Sequence, residues 1–154
     1  MRLRIPVLAL LLVAIASCGS DGPAGPNEPG GAVNGTFTAR INGAAFSATF
    51  IVPAMTAGSV SAIGASAAGR SMAFAWLDEG PGTYVIGTAV GLNANLTMDG
   101  NMWTAVAGSG SGTLVVATRT ANRITGTFTF TMNPPAGTSL GPRSVTDGAF
   151  DVTF

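Results

Sequence analysis

The chain has 154 residues, of which 47% are hydrophobic and only 9% charged, so it can bury a substantial core. Seven arginines balance seven acidic residues, and there is no lysine or histidine. Nucleic-acid binding needs a basic face, which scattered arginines do not supply. Without histidine, neither a Ser-His-Asp triad nor a Cys/His zinc site can be built, and a single cysteine excludes an intrachain disulfide. We expect no nucleic-acid partner and no cofactor.

The first 17 residues have the pattern of an export signal. Arg2 and Arg4 precede an apolar run over residues 5–16, which matches the charged n-region and apolar h-region of a signal peptide. The run is too short for a permanent membrane-spanning helix, which needs about 20 residues. Residues 1–17 are therefore predicted to be a signal and not a membrane span.

The apolar run ends in Ile15-Ala16-Ser17-Cys18, which resembles the lipobox of bacterial lipoproteins. The resemblance implies that the Cys18 thiol receives a diacylglyceryl group and that a dedicated peptidase cuts before it, so that lipid anchors the protein to a membrane. Gly19 stands where an Asp favours retention in the inner membrane, which points to an outer membrane if the organism has one. The alternative is an ordinary secretory signal with an incidental cysteine.

Residues 18–33 are predicted to be the lipidated cysteine followed by a tether. Glycine and proline dominate this stretch, and both disfavour regular hydrogen-bonded structure. The remaining residues, 34–154, have the length of one domain.

From Gly35 onward, apolar residues alternate with polar ones at the period of a β-strand. Asn42-Gly43 tolerates the positive φ angles of a type I′ turn, so strands near 35–41 and 44–52 are expected to form a hairpin. Further strands are predicted at 59–66, 70–77, 83–88, 94–98, 102–106, 108–118, 123–131 and 145–154, with a tight turn at 119–122. The pattern predicts an all-β antiparallel sandwich, or a closed or partly open barrel, of about 8–10 strands.

The domain resembles an uncharacterised family of bacterial lipoproteins that is common in Bacteroidota and their relatives. The matching motifs, in the family's order, are residues 37–48, 82–84, 111–113, 124–130 and 148–152. The resemblance implies a β domain in the cell envelope and no particular activity. Ala44-Ala45 stands where relatives often have Trp or a long polar residue, which argues against a pocket built from this hairpin.

Two acidic segments are candidates for metal binding or acid–base chemistry. Asp78 and Glu79 could hold a cation or act as paired carboxylates, but they precede Gly80-Pro81-Gly82, so a solvated turn is the expected structure. Asp99-Gly100-Asn101 resembles part of a calcium loop but lacks further acidic ligands, so a hairpin turn is expected there. The sequence therefore predicts neither a metal site nor a catalytic residue.

Aromatic and basic side chains offer the other candidates. Trp76, Tyr84 and Trp103 could line a sugar-binding surface, although core packing is the usual role of such residues in strands. Arg119 and Arg123 flank a hairpin and are predicted to protect a sheet edge.

Three functional hypotheses follow. The first is a membrane-anchored, non-catalytic β domain with a structural or interaction role. The second is a ligand-binding module for a glycan or a small apolar molecule. The third is a carboxylate-based hydrolase. The membrane is the one partner that the sequence indicates, through Cys18; a protein or glycan partner is not identified.

Overall fold

The computed structural model describes residues 35–56, 59–65, 69–88 and 91–154. The predicted signal, Cys18 and the predicted tether lie outside these residues. The described residues form eleven strands and no helix: β1 (Gly35–Ile41), β2 (Ala44–Ser47), β3 (Phe50–Thr56), β4 (Ser59–Ala65), β5 (Ser71–Leu77), β6 (Gly82–Val85), β7 (Asn93–Met98), β8 (Asn101–Ala105), β9 (Ser111–Arg119), β10 (Arg123–Met132) and β11 (Arg143–Thr153). Accordingly, the described part contains no helix that could cross a membrane.

The strands form two antiparallel sheets. The six-stranded sheet has the order β2-β1-β11-β10-β9-β6, and the five-stranded sheet has the order β3-β4-β5-β7-β8. Over the described ranges, neither sheet closes into a barrel. The all-β prediction is thus confirmed, and of its two architectures the structure has the sandwich.

The first hairpin forms as predicted, but its second strand is shorter than expected. Asn42 and Gly43 have φ angles of 47° and 81°, which fits the type I′ turn. The predicted single strand 44–52 is wrong, because β2 ends at Ser47 and β3 begins at Phe50 in the other sheet. Buried Phe46 and buried Ile51 are an odd number of residues apart, so one regular strand could not bury both. This division explains the eleventh strand.

The sandwich interior is filled by side chains from both sheets. Phe74 of the five-stranded sheet packs against Phe37, Phe128 and Phe150 of the six-stranded sheet, with ring centroids 5.7, 5.1 and 5.5 Å away. Aromatic pairs at such distances add to the stability that burial supplies. Strand β10 shows the pattern most clearly, because buried and more exposed residues alternate along its whole length.

Candidate functional site

The loop that carries the chain from β5 to β6, and so from one sheet to the other, holds the first acidic candidates. The Tyr84 hydroxyl donates a hydrogen bond to the Gly80 carbonyl oxygen at 2.5 Å and accepts one from the Glu79 N–H at 3.1 Å. The Gly80 N–H donates to Oδ1 of Asp78 at 3.0 Å. Burial of the Tyr84 ring raises the pKa of its hydroxyl. Asp78 and Glu79 therefore lie in a hydrogen-bonded loop, as the predicted turn requires, but the Asp78 side chain is not solvated as the sequence predicts, because only 12% of it is exposed.

Arg119 joins this loop to the neighbouring strands. Its Nε donates to Oδ2 of Asp78 at 2.7 Å, and both side chains are largely buried. Its guanidinium carbon lies 5.8 Å from the Phe154 ring centroid, and Nη2 lies 3.0 Å from the Met55 sulfur. The predicted edge-protecting role is wrong for Arg123, because β10 lies between β9 and β11. Arg119 lies at the end of β9, beyond the pairing with β6, which covers only residues 113–116 of β9.

The two carboxylates within the six-stranded sheet, Asp151 and Asp147, also face arginines. Asp151 forms a bidentate pair with Arg123, with Nε–Oδ1 and Nη2–Oδ2 distances of 2.8 and 2.5 Å. The hydrogen bonds from Arg123 lower the pKa of the Asp151 carboxyl and raise the pKa of Arg123. Asp147 lies 3.4 Å from the Arg40 guanidinium. Each of these carboxylates thus has a cationic neighbour of its own.

Asp99 lies apart from these pairs, in the turn between β7 and β8. Its φ angle is 53° and that of Gly100 is 76°, so the segment is a tight hairpin turn, as the sequence predicts. Within the described ranges, no three Asp, Glu, His or Cys side chains are grouped so that they could hold a metal ion.

The three aromatic candidates are buried and do not share one place. Trp76, Tyr84 and Trp103 are 1%, 3% and 1% exposed. Trp76 and Tyr84 lie together, with ring centroids 6.2 Å apart. Trp103 instead donates from Nε1 to the Gly141 carbonyl oxygen at 2.9 Å and packs under the Arg143 guanidinium at 4.8 Å. In this structure the three rings offer no exposed face on which a sugar ring could stack.

A shallow, open depression of about 340 Å³ lies on the outer face of the six-stranded sheet. Its lining includes the side chains of Thr113, Thr127, Thr129 and Asp147 together with Val115. Sequence reasoning did not single it out, because outward threonines are common in strands. The depression is outside the sandwich, and therefore differs from the interior cavity that a carrier of a small apolar molecule would need.

The two sheets differ sharply in charge, a feature that sequence reasoning also missed. The five-stranded sheet contains no charged residue, whereas every charged residue located in a strand belongs to the six-stranded sheet. Five large apolar side chains of the five-stranded sheet are exposed: Phe50, Val52, Met55, Leu77 and Met102. The charged and uncharged residues can be read from the sequence, but the difference between the sheets can be recognised only when it is known which strands share a sheet.

Comparison with protein families matches residues 33–151 to the model of DUF6252, a domain of unknown function. The match covers nearly all of the described sandwich and agrees with the resemblance to an uncharacterised family. Comparisons with curated proteins and with solved structures find no match. The chain belongs to the family of proteins that contain the DUF6252 domain.

Proposed function

We propose that this protein is a lipoprotein anchored to a membrane of the cell envelope, and that its β-sandwich is a non-catalytic domain with a structural or interaction role. The observation that carries the proposal is the segment Ile15-Ala16-Ser17-Cys18, placed directly after an apolar run that two arginines precede. Cys18 is also the chain's single cysteine, so this thiol has no disulfide partner within the chain.

Lipid on Cys18 supplies the attachment. Each buried methylene contributes about 0.8 kcal/mol, and two acyl chains together hold a protein on a bilayer far longer than one chain does. Gly19, in place of Asp, favours the outer membrane as the destination in a Gram-negative cell. The domain that begins at Gly35 is then held beside the bilayer by the residues that follow Cys18.

The arginine pairs support a non-catalytic role for the sandwich. A general acid or base needs a carboxyl group within reach of a substrate proton and with a pKa near the working pH. Asp78 is instead engaged by Arg119, and the pKa of Asp151 is lowered by Arg123. These carboxylates act as structural partners of arginines, which favours a binding or scaffolding role over hydrolysis.

The experiment that tests the anchor compares the wild-type chain with Cys18→Ser after expression in a Gram-negative host. The wild type is expected in the membrane fraction, with a diacylglyceryl-modified N-terminal Cys18 in the mass spectrum. The Cys18→Ser chain is expected to lack the lipid mass. Ser17→Ala is the matched control and keeps the modification, because alanine is equally small. A wild-type product that carries no lipid and is cut away from Cys18 contradicts the proposal.

A further inference from the structure

The outer face of the five-stranded sheet is unusual for a surface beside water, because it combines exposed apolar side chains with a lack of charge. Along β3, buried Ile51 alternates with Phe50 and Val52, which point outward and are 44% and 37% exposed. Leu77, at the end of β5, is 47% exposed. On β7, this face is polar but uncharged. Asn93 and Asn95 lie on it, because they are in register with Ala75 and Ala73 of β5.

One end of this face lies at the end of the sandwich where the chain enters the domain. Gly35 is in register with Val152, Val152 with Ile124, and Ile124 with Arg119. The Arg119 side chain in turn contacts Met55, at the end of β3, and Asp78. Asp78 directly follows Leu77. The apolar side chain of Leu77, on the outer face, is therefore at the same end of the molecule as Gly35, whereas Met55 is in register with Val60 and through it with buried Trp76, on the inner face.

The chain that precedes Gly35 is long enough to bring this face to a bilayer. Sixteen residues separate Cys18 from Gly35, and they span at most about 60 Å when fully extended. A strand of seven residues is about 23 Å long. An anchor on Cys18 therefore lets the sheet lie along the membrane and keeps it at a high effective concentration there.

We propose that the outer face of the five-stranded sheet docks on the lipid bilayer, with Phe50, Val52 and Leu77 in contact with the acyl chains. This inference rests on the proposed lipid anchor at Cys18. An uncharged face meets the bilayer without the cost of removing charges from water, a cost that the six-stranded sheet with its arginines and aspartates would incur. Exposed apolar side chains gain free energy when they leave water for the acyl region.

The edges of the same sheet disfavour the strand-to-strand pairing of two copies. Pro53 lies in the middle of β3, one of the two edge strands of this sheet. Proline has no N–H to donate to an added strand, so it blocks continuous pairing along this edge. At the other edge, Thr104 of β8 already exchanges backbone hydrogen bonds with Asn133. Both edges therefore favour the face as the surface for an apolar partner.

The test uses two valines with the same exposure on opposite faces, Val52 and Val115, each 37% exposed. Val52→Cys and Val115→Cys are made separately in the full-length lipidated protein, in which lipid occupies the thiol of Cys18. Each new thiol is labelled with an environment-sensitive fluorophore. The proteins are reconstituted into phosphatidylethanolamine and phosphatidylglycerol vesicles, with and without brominated acyl chains. Leu77→Cys provides a second site on the docking face.

The label at position 52 is expected to brighten at least about twofold on vesicles and to be quenched by brominated lipid, whereas the label at 115 stays unchanged. Equal responses at 52 and 115, or no quenching at 52 and 77, overturn the docking. Brightening without bromine quenching, together with cross-linked dimers, identifies a second copy as the partner and also overturns it. Mass spectrometry and vesicle flotation test the lipid anchor separately from the docking. If the protein is lipidated and floats with the vesicles but shows no quenching, the anchor is supported and the docking is refuted. Protein without lipid refutes both.

Discussion

The hydroxyl of Tyr84 donates a hydrogen bond to the carbonyl oxygen of Gly80 at 2.5 Å, across the loop that joins the two sheets. The Tyr84 hydroxyl oxygen also accepts a hydrogen bond from the N–H of Glu79, the residue before Gly80. One side chain in β6 thus satisfies two backbone groups of the crossover loop. Because the ring itself is buried against Trp76, the loop is bound to the core at the place where the chain changes sheets.

Tyr84→Phe is therefore expected to lower the free energy of unfolding by about 1–3 kcal/mol. The ring remains, but two partly buried backbone groups lose their partner. Urea denaturation of the two proteins measures the difference. Thr83→Val, an exposed change on the same strand, is the control and is expected to stay within about 0.5 kcal/mol of wild type. Equal stability of Tyr84→Phe and wild type would contradict the structural role of the hydroxyl.

Stability at alkaline pH provides a second test of the same residue. Burial raises the pKa of Tyr84 above its ordinary value of 10.0. The neutral hydroxyl is therefore favoured by folding: its contribution is fully present below pH 10.0 and is lost as the pH rises through the pKa of the folded state. Wild type should lose more stability than Tyr84→Phe between neutral pH and pH values above 10.0. Parallel thermal denaturation curves for the two proteins over this range would refute the prediction.

The pair between Arg123 and Asp151 predicts a titration shift. Hydrogen bonds from Arg123 lower the pKa of Asp151 below 3.8, so this contribution to stability is present above pH 3.8 and lost as the pH falls through the lowered value. In Arg123→Gln, the carboxyl resonance of Asp151 is expected to titrate at higher pH than in wild type. NMR of the carboxyl carbon measures both curves. An unchanged midpoint would show that the pair does not persist in solution.

Close packing between β9, β10 and β11 leaves no room for a side chain at Gly126. A Cβ there would clash with the Val115 carbonyl oxygen and lie 2.7 Å from the Phe150 ring. Gly126→Ala is expected to destabilise the domain by about 1–3 kcal/mol, as overpacking commonly does. Gly82→Ala is the matched control, because nothing lies within 4 Å of a Cβ at that position. Thermal denaturation distinguishes the two variants; equal melting temperatures would contradict the packing at Gly126.

Local patterns predicted much of this fold. Alternation along β10 and the Asn42-Gly43 turn depend on neighbouring residues alone, so they were predicted correctly. The sequence did not predict the break at 48–49, because apolar residues recur at every second position from Phe46 to Val52. The chain nevertheless passes from one sheet to the other between Ser47 and Phe50. The burial of Trp76 and Trp103 could not be decided in the same way, because the residues around a tryptophan in a strand do not show whether its side chain faces the core or solvent.

The sequence by itself determined the all-β class, the hairpin turns and the candidate lipidation residue Cys18, because each depends on side chains close together along the chain. Only the tertiary structure decided which strands share a sheet. It placed Asp78 against Arg119, 41 residues away, and it collected all the charged strands into one sheet. Those outcomes depend on contacts between distant segments, whose energies no local pattern encodes.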